Sequence, residues 1–192
     1  KSIVSIDDLS NSEIIRILEV ATEFDESLKT RPILPLLKNK KLFSLFYEPS
    51  SRTFFSFREA MRRLGGDWDG VQDAQSSTSV AKGESIADSI RTFELMADII
   101  VMRHPNDGSV QVAQLYGSMP IINAGDGGHE HPTQTLCDLF TLREEHGTLE
   151  GLRVVLCGDL KNGRTVHSLT FALLRFGAQL IFVPGEGLEL PD

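Results

Sequence analysis

Residues 41–57 read Lys41-Leu-Phe-Ser-Leu-Phe-Tyr-Glu-Pro-Ser-Ser-Arg-Thr-Phe-Phe-Ser-Phe57, and this stretch decides the fold of the chain. Its first six residues form an apolar run that predicts a buried strand. Apolar residues then recur at helical spacing as far as Leu64, where two glycines predict the end of a helix. The sequence therefore predicts a strand over 41–47, a turn, and a helix over 51–64.

The turn between this strand and this helix carries four groups suited to binding a phosphate. Ser50, Ser51 and Thr53 supply hydroxyls, and Arg52 supplies a guanidinium. Free backbone amides at a helix N-terminus and the positive end of the helix dipole also attract anions. The alternative is an ordinary serine-capped helix with an exposed arginine. Four phosphate-competent groups in four consecutive positions favour a ligand site.

Strands and helices alternate along the first three quarters of the chain. A capping box, Ser10-Asn-Ser-Glu13, predicts the start of the first helix. Further strands are predicted over 67–71, 98–102 and 120–123, further helices over 86–97 and 108–117, and a polar loop over 75–82. This alternation predicts an α/β domain with a doubly wound parallel sheet, in which helices cover both faces.

A second α/β unit is predicted to begin near residue 148. Pro132 predicts the first turn of a long helix, and the polar end of that helix, over 143–148, indicates a domain junction. Two apolar strands and one helix follow, which is too little for an independent sheet domain. We expect one domain over 1–147 and the start of a second, truncated domain over 148–192.

Composition excludes several classes of protein. The formal net charge of −8 argues against sequence-independent nucleic-acid binding. The apolar run around 99–102 is too short to span a membrane. Cys137 and Cys157 lack metal-ligand spacing, and we expect them to be buried thiols in a reducing cytoplasm. We expect a cytoplasmic protein that binds no nucleic acid, membrane, metal or cofactor.

Four motifs in order resemble those of the aspartate and ornithine carbamoyltransferases. Each motif alone is moderately specific, and together they extend the resemblance from the first helix to Val183. The motifs are Glu48-Pro-Ser-Ser-Arg-Thr53, Val101-Met-Arg-His-Pro105, Asn123-Ala-Gly-Asp-Gly127 with His131-Pro-Thr-Gln134, and Gly158-Asp-Leu-Lys-Asn-Gly-Arg-Thr-Val-His-Ser168. The last motif resembles the aspartate-specific members of the family.

The resemblance implies an enzyme that transfers the carbamoyl group of carbamoyl phosphate to the amino group of L-aspartate. The products would be N-carbamoyl-L-aspartate and phosphate, a step of pyrimidine biosynthesis. The domain over 1–147 would bind carbamoyl phosphate, and the partial domain over 148–192 would begin the aspartate-binding half. Family members continue with further segments that complete the aspartate site, so we expect this chain to hold only part of it.

The resemblance also implies roles for individual residues. Catalysis would depend on His131, which would donate a hydrogen bond to the carbonyl oxygen, with Thr53 and Arg103 assisting. Because a helix N-terminus lowers the proton affinity of a histidine, we expect His131 to be neutral. Carbamoyl phosphate would be bound by Ser50, Ser51, Arg52, Thr53, Arg103, His131 and Gln134, the last at its amide end.

Other residues would bind the aspartate acceptor or act across domain and subunit boundaries. Arg164 would pair with a carboxylate of aspartate, and Glu48 would link the two domains electrostatically. In the family a loop with a lysine, here Lys82, reaches the active site of a neighbouring subunit and contributes to the aspartate site. Thr78 would be the hydroxyl of that loop, although Ser79 is an equal alternative. The resemblance therefore implies a homotrimer with shared active sites, and it is compatible with a regulatory subunit.

Four alternatives compete with this interpretation. The segment 158–165 has the spacing of a P-loop, but Arg164 replaces the lysine that contacts terminal phosphates. The histidines of His129-Glu-His131 could suggest a metal, but a second ligand cluster is lacking. The chain could also carbamoylate another amine such as ornithine, or be a non-catalytic phosphate-binding assembly module.

Overall fold

Four parallel strands form the central sheet in the computed structural model, which describes residues 1–191. The sheet has the order β2-β1-β3-β4, and every neighbouring pair is parallel. The strands are β1 (Lys41–Phe46), β2 (Asp67–Val71), β3 (Ile99–His104) and β4 (Ile121–Asp126). Each predicted strand is confirmed to within a few residues. The apolar runs of β1, β3 and β4 are mostly buried, whereas β2, at the edge of the sheet, is partly exposed.

Helices occupy the segments between the strands. They are α1 (Asn11–Thr30), α2 (Ser51–Arg63), α3 (Ala74–Ser77), α4 (Ile86–Phe93), α5 (Ser109–Tyr116), α6 (Pro132–His146) and α7 (Arg164–Arg175). The capping box at Ser10 and Glu13 begins α1 as predicted. Pro132 begins α6, also as predicted.

The predicted polar loop over 75–82 is wrong in part. It contains the short helix α3 and a 3-10 turn over Ser79–Lys82. The hydroxyl of Ser77 donates to the Asp73 carbonyl, and the Thr78 hydroxyl accepts a bond from the Val80 N–H. These local bonds satisfy backbone groups within the segment, which lets polar residues form helical turns.

Apolar side chains cover both faces of the central sheet. On one face Leu45 and Met102 pack with Ile90 of α4, and α5 completes this cluster. On the other face Phe46 and Val101 pack with helix α2. Alternate residues of β1 and β3 therefore face opposite helical layers, and the doubly wound α/β fold is confirmed.

A second, two-stranded parallel sheet follows, formed by β5 (Arg153–Gly158) and β6 (Gln179–Pro184). Helix α7 joins these strands and packs against α6. Leu173 of α7, Leu139 of α6 and Leu18 of α1 are fully or almost fully buried in one cluster. The second unit is therefore attached to the first through an apolar helical layer.

The expectation that both thiols are buried is wrong, since Cys137 and Cys157 are both exposed. Cys137 lies on α6 two positions before the buried Leu139, which puts the two side chains on different sides of the helix. Cys157 shares a face of β5 with Val155, which is 56% exposed. Sequence patterns indicate regular elements, but whether a face is covered depends on its neighbours.

Every helix within residues 1–191 is too short or too polar to cross a membrane.

Candidate functional site

The carboxyl ends of three strands meet at one edge of the central sheet. The Ser50–Thr53 segment follows β1, and Arg103 lies near the end of β3, opposite Phe46 of β1. His131 follows β4 after a short loop. In open parallel sheets this edge is where ligands bind, because loops and helix N-termini converge there.

A cleft of about 420 Å³ separates the first turns of α2 and α6. The side chains of Arg52, Thr53, His131 and Gln134 all line it. It is lined further by Ser56, Phe57, Ala60, Thr133 and Cys137. The structure thus brings four of the predicted site residues together between two helix N-termini, where backbone amides and both helix dipoles favour an anion.

Ser50 occupies the N-cap position of α2 but does not cap it. Its side-chain hydroxyl donates to Thr53 Oγ1 over 3.2 Å. Its backbone N–H donates to Gln72 Oε1 over 3.3 Å. Because the Ser50 side chain is turned to Thr53, the amides of Ser51 and its successors are left open to a ligand.

His131 is the N-cap of α6 and is only 6% exposed. Its Nδ1 accepts the Gln134 backbone N–H at 3.4 Å and lies 3.2 Å from Thr133 Oγ1. Burial, and then the charges of Arg103 and Arg164, lower the pKa of His131 to about 4. The ring is therefore neutral near pH 7, and its proton resides on Nε2, which can donate to a ligand.

The physical cause of the low His131 pKa differs from the expected one. The sequence suggested the helix N-terminus, whereas burial has the largest effect and two guanidinium groups add to it. Both guanidinium groups are brought near His131 only by the tertiary fold.

Arg103 and Arg164 meet at the carboxylate of Glu48. Glu48 Oε1 lies 2.6 Å from Arg103 Nη2 and 3.0 Å from Arg164 Nη1. Arg103 Nη1 also donates to the Ala124 carbonyl over 3.1 Å. Burial, and then the charge of Arg164, lower the pKa of Arg103, and Glu48 opposes this. Neither arginine lines the cleft, so they form an adjacent cationic pair held by one carboxylate.

Besides Ser50, Glu48, Arg103 and Arg164, three further predicted site residues lie outside the cleft. Ser51 is exposed and does not line the cleft. Thr78 donates its hydroxyl to the Ala74 carbonyl, and the exposed Lys82 ends the 3-10 turn that follows. Neither Thr78 nor Lys82 lines the cleft of its own chain.

Three further residues shape the site although the sequence analysis assigned no role to any of them. Gln72 accepts the Ser50 N–H, and Asp138 accepts the side-chain amide of Gln134 over 2.9 Å. An added Cβ at Gly125 would lie 3.0 Å or less from a guanidinium nitrogen of both Arg103 and Arg164. Two of them had a usable signal, since Gly125 lies within a quoted motif and Asp138 lies four residues after Gln134 on a predicted helix.

Within residues 1–191, no three His, Cys, Asp or Glu side chains are placed to hold a metal ion.

Residues 1–144 match the family described as aspartate/ornithine carbamoyltransferase, carbamoyl-P binding domain. The aspartate carbamoyltransferase catalytic subunit of Methanocaldococcus jannaschii is 49% identical over 192 residues, which is 100% of this chain and 62% of that protein. The corresponding subunit of Chromobacterium violaceum is 47% identical over 192 residues, with the same coverage.

Solved structures agree with these sequence similarities. The aspartate transcarbamoylase of Trypanosoma cruzi, in complex with carbamoyl phosphate and aspartate, has a TM-score of 0.94 at 40% identity and covers 100% of this chain and 63% of its own. The M. jannaschii catalytic subunit has a TM-score of 0.92 at 49% identity, with the same coverage. The chain thus spans less than two thirds of the length of these relatives.

Proposed function

Because this chain belongs to the aspartate/ornithine carbamoyltransferase family, we propose that it binds carbamoyl phosphate in the cleft between α2 and α6 and takes part in carbamoyl transfer to L-aspartate. The observation that carries this proposal is the convergence of Arg52, Thr53, His131 and Gln134 on one cleft. These side chains provide cationic, hydroxyl, neutral donor and amide groups within one small volume. Relatives named aspartate carbamoyltransferase support the choice of substrates.

The phosphate group would be bound at the N-terminus of α2. Arg52 and Thr53 line the cleft there, and the hydroxyl of Ser50 reaches Thr53. Ser51 would contribute its backbone amide, since its side chain is exposed. Arg103 would approach the phosphate by exchanging the Glu48 carboxylate for phosphate oxygens. An arginine pairs well with either anion because its planar donors suit both.

The carbamoyl group would lie at the N-terminus of α6. Nε2–H of the neutral His131 would donate to the carbonyl oxygen, where negative charge develops as the amine attacks. The new C–N bond forms, the C–O bond to phosphate breaks, and the proton lost by the amine passes to the departing phosphate. A donor fixed before reaction stabilises this charge without reorganising at the moment of attack. A neutral histidine suits this role because its Nε2–H can donate near neutral pH without the ring first taking up a second proton.

The acceptor would be bound partly by Arg164 at the N-terminus of α7. Its present partner is Glu48, which an aspartate carboxylate would replace. Residues 1–147 would form the carbamoyl-phosphate-binding domain, and residues 148–192 would form part of the aspartate-binding domain. The ion pairs of Glu48 with Arg103 and Arg164 support an electrostatic link between these two units.

We also propose a homotrimer located in the cytoplasm, with Lys82 and Thr78 serving a neighbouring site. Both residues lie outside the cleft of their own chain, which is consistent with a role in another copy. Relatives named catalytic subunits support a protein that assembles with other chains.

Binding of carbamoyl phosphate, measured calorimetrically with and without Arg52→Ala, tests the phosphate site. We expect Arg52→Ala to weaken binding at least tenfold, because a charge-assisted contact to phosphate is lost. Arg58→Ala is the matched control on the same helix, since Arg58 stacks over Trp68 and does not line the cleft. Equal affinities in both variants would argue against this site.

Turnover tests the acceptor. Formation of N-carbamoyl-aspartate from carbamoyl phosphate and aspartate should fall at least tenfold in Arg164→Ala, with ornithine inactive throughout. Turnover of ornithine, or an unchanged aspartate requirement in Arg164→Ala, would contradict the assignment. In a chain extended to the length of its relatives, binding of carbamoyl phosphate without turnover would favour the non-catalytic module.

A further inference from the structure

The side-chain amide of Gln134 is held by a neighbouring carboxylate. Gln134 Nε2 donates to Asp138 Oδ1 over 2.9 Å, and the two residues lie one helical turn apart on α6. Gln134 lines the cleft, whereas Asp138 does not. Residues four apart on a helix are neighbours, so this bond is set by α6 alone and needs no other element.

The chemistry of a carboxylate fixes which end of the amide faces the cleft. An ionised carboxylate accepts hydrogen bonds and cannot donate one. Gln134 must therefore turn its NH₂ group toward Asp138, which leaves Oε1 to accept a bond from a ligand. Burial raises the pKa of Asp138, and the bond from Gln134 opposes this change, so the bond favours the ionised form.

His131 supplies the complementary group at the same helix N-terminus. Its Nδ1 faces the Gln134 N–H and Thr133 Oγ1, which leaves the proton on Nε2 as a donor. The first turn of α6 therefore carries one oriented donor and one oriented acceptor. A carbamoyl group has a carbonyl oxygen that accepts and an NH₂ group that donates, so it matches both. An acetyl group has the same shape but a methyl in place of the NH₂.

We propose that Asp138 is a positioning residue that makes the cleft select a carbamoyl group over an acetyl group, by holding Gln134 Oε1 toward the ligand. The inference rests on the proposed function and adds the source of its specificity. With the amide reversed, the NH₂ of Gln134 would oppose the NH₂ of the ligand, and two donors would be left without an acceptor. A desolvated polar group without a partner weakens binding by about tenfold or more.

Two stable phosphonates of equal size test this proposal. Phosphonoacetamide ends in an amide, and acetonylphosphonate carries a methyl in place of the NH₂. Calorimetric affinities of the 192-residue chain for both compounds, and for inorganic phosphate, separate recognition of the acyl end from recognition of the phosphate. We expect the unaltered chain to prefer phosphonoacetamide by about tenfold, as for one satisfied hydrogen bond.

Substitutions at Asp138 should remove this preference selectively. In Asp138→Leu the ratio should fall to about one, while affinities for acetonylphosphonate and phosphate stay unchanged. Asp138→Asn should be intermediate, because an asparagine can both donate and accept and no longer fixes the amide. Glu145→Gln removes an exposed carboxylate from the same helix, and it should keep the full preference.

The outcomes separate this inference from the proposed function. A full preference in Asp138→Leu, or an equal loss for all three probes, overturns the positioning role. An unaltered chain that binds phosphate but treats both phosphonates alike also overturns it and leaves the phosphate site standing. An unaltered chain that binds none of the probes overturns both proposals.

A second measurement covers variants that fail to fold. In the unaltered chain, the side-chain amide protons of Gln134 should exchange with solvent several-fold more slowly than those of the exposed Gln75, because one of them is bonded to Asp138. Equal exchange rates would show that the bond is absent in solution and would overturn the inference.

Discussion

Gly125, near the end of β4, leaves the space in which Arg103 and Arg164 both approach the Glu48 carboxylate. It has a φ of 111°, a conformation that L side chains rarely adopt. A Cβ placed there would lie 2.9 Å from Arg164 Nη1 and 3.0 Å from Arg103 Nη1. Both distances are shorter than ordinary van der Waals contacts, so the absence of a side chain lets both guanidinium groups reach Glu48.

Gly125→Ala should weaken phosphate binding about tenfold, because Arg103 and Arg164 would have to move. Gly158→Ala is the matched control, since Gly158 has a φ of 117° and an added Cβ would meet nothing within 4 Å. Both variants should lose about 1 kcal/mol of unfolding free energy to backbone strain. Urea unfolding and phosphate calorimetry measure the two effects, and equal phosphate affinity in both variants would contradict the prediction.

His131 should make the stability of the protein fall in acid. Its pKa is lowered to about 4 in the folded chain from the model-compound value of 6.5. Between these values the unfolded chain binds a proton that the folded chain does not, so the free energy of unfolding falls as pH falls from 6.5 toward 4. The size of this loss is at most about 3 kcal/mol.

His131→Gln should therefore reduce the loss of unfolding free energy between about pH 7.5 and pH 4.5. Urea unfolding at both pH values measures the difference between variant and parent. His146→Gln removes an exposed histidine at the other end of α6 and should keep the parent's pH dependence. An unchanged dependence in His131→Gln would mean that His131 is not desolvated.

At the scale of elements, the site is made by the facing N-termini of α2 and α6. Each helix presents one side to the core and one to the cleft. On α6 the buried Leu139 and Thr135 face the core, whereas Gln134 and Cys137 line the cleft. A ligand between the helices should therefore cover the cleft side of α6 and leave the second sheet accessible.

Alkylation of Cys137 should report on occupancy of the cleft. Carbamoyl phosphate should slow its reaction with iodoacetamide several-fold, while Cys157, exposed on β5, should react at an unchanged rate. Cys157→Ser and Cys137→Ser each leave one thiol, so each rate is measured alone. Although the residue is exposed, partial desolvation of its sulfur by neighbouring atoms, and then the charge of Asp138, raise the pKa of Cys137, so its alkylation should accelerate with rising pH above neutrality. Equal protection of both thiols would indicate a general change in structure.

At the scale of the whole molecule, an apolar layer and the Glu48 carboxylate are among the contacts that join the two sheets. Leu18, Leu139 and Leu173 belong to the apolar layer. Glu48 faces Arg103 of the first sheet and Arg164 of α7, and all three side chains are less than one third exposed. Without this carboxylate, two like charges would face each other in a partly buried position.

Glu48→Gln should lower the unfolding free energy of the unliganded chain by about 2 kcal/mol, because it leaves two partly buried charges without an anion. Added phosphate should then raise the melting temperature of the variant more than that of the parent, since no carboxylate competes with it. Glu59→Gln breaks only exposed pairs with Arg62 and Arg63 and should change little. Equal phosphate effects in variant and parent would contradict competition between Glu48 and phosphate.

Assembly can be tested at the same scale. If each site is shared, sedimentation should give three times the 21.3 kDa mass of one chain. Lys82→Ala mixed with His131→Ala should then recover part of the turnover that each variant lacks alone, because a mixed trimer contains some intact sites. A monomeric mass, or a mixture as inactive as its components, would argue against the shared site.

The sequence alone determined the order and type of nearly every strand and helix and the location of the turn that we propose binds phosphate. These features depend on apolar runs, helix-capping residues and glycines within a few positions of one another, and such interactions act locally. The motifs also pointed to Arg52, Thr53, His131 and Gln134 before their positions in space were known. The segment 75–82 was misassigned because hydroxyl bonds to nearby backbone groups outweighed its polar composition.

Only the tertiary structure decided which groups meet. The exposure of Cys137 and Cys157, the pairing of Glu48 with two arginines and the burial that lowers the His131 pKa all depend on elements distant in sequence. The orientation of the Gln134 amide is set within α6. The amide faces a ligand-sized cleft only because α2 lies on the opposite side. Desolvation and charge interactions depend on distances through space, and a sequence pattern does not contain those distances.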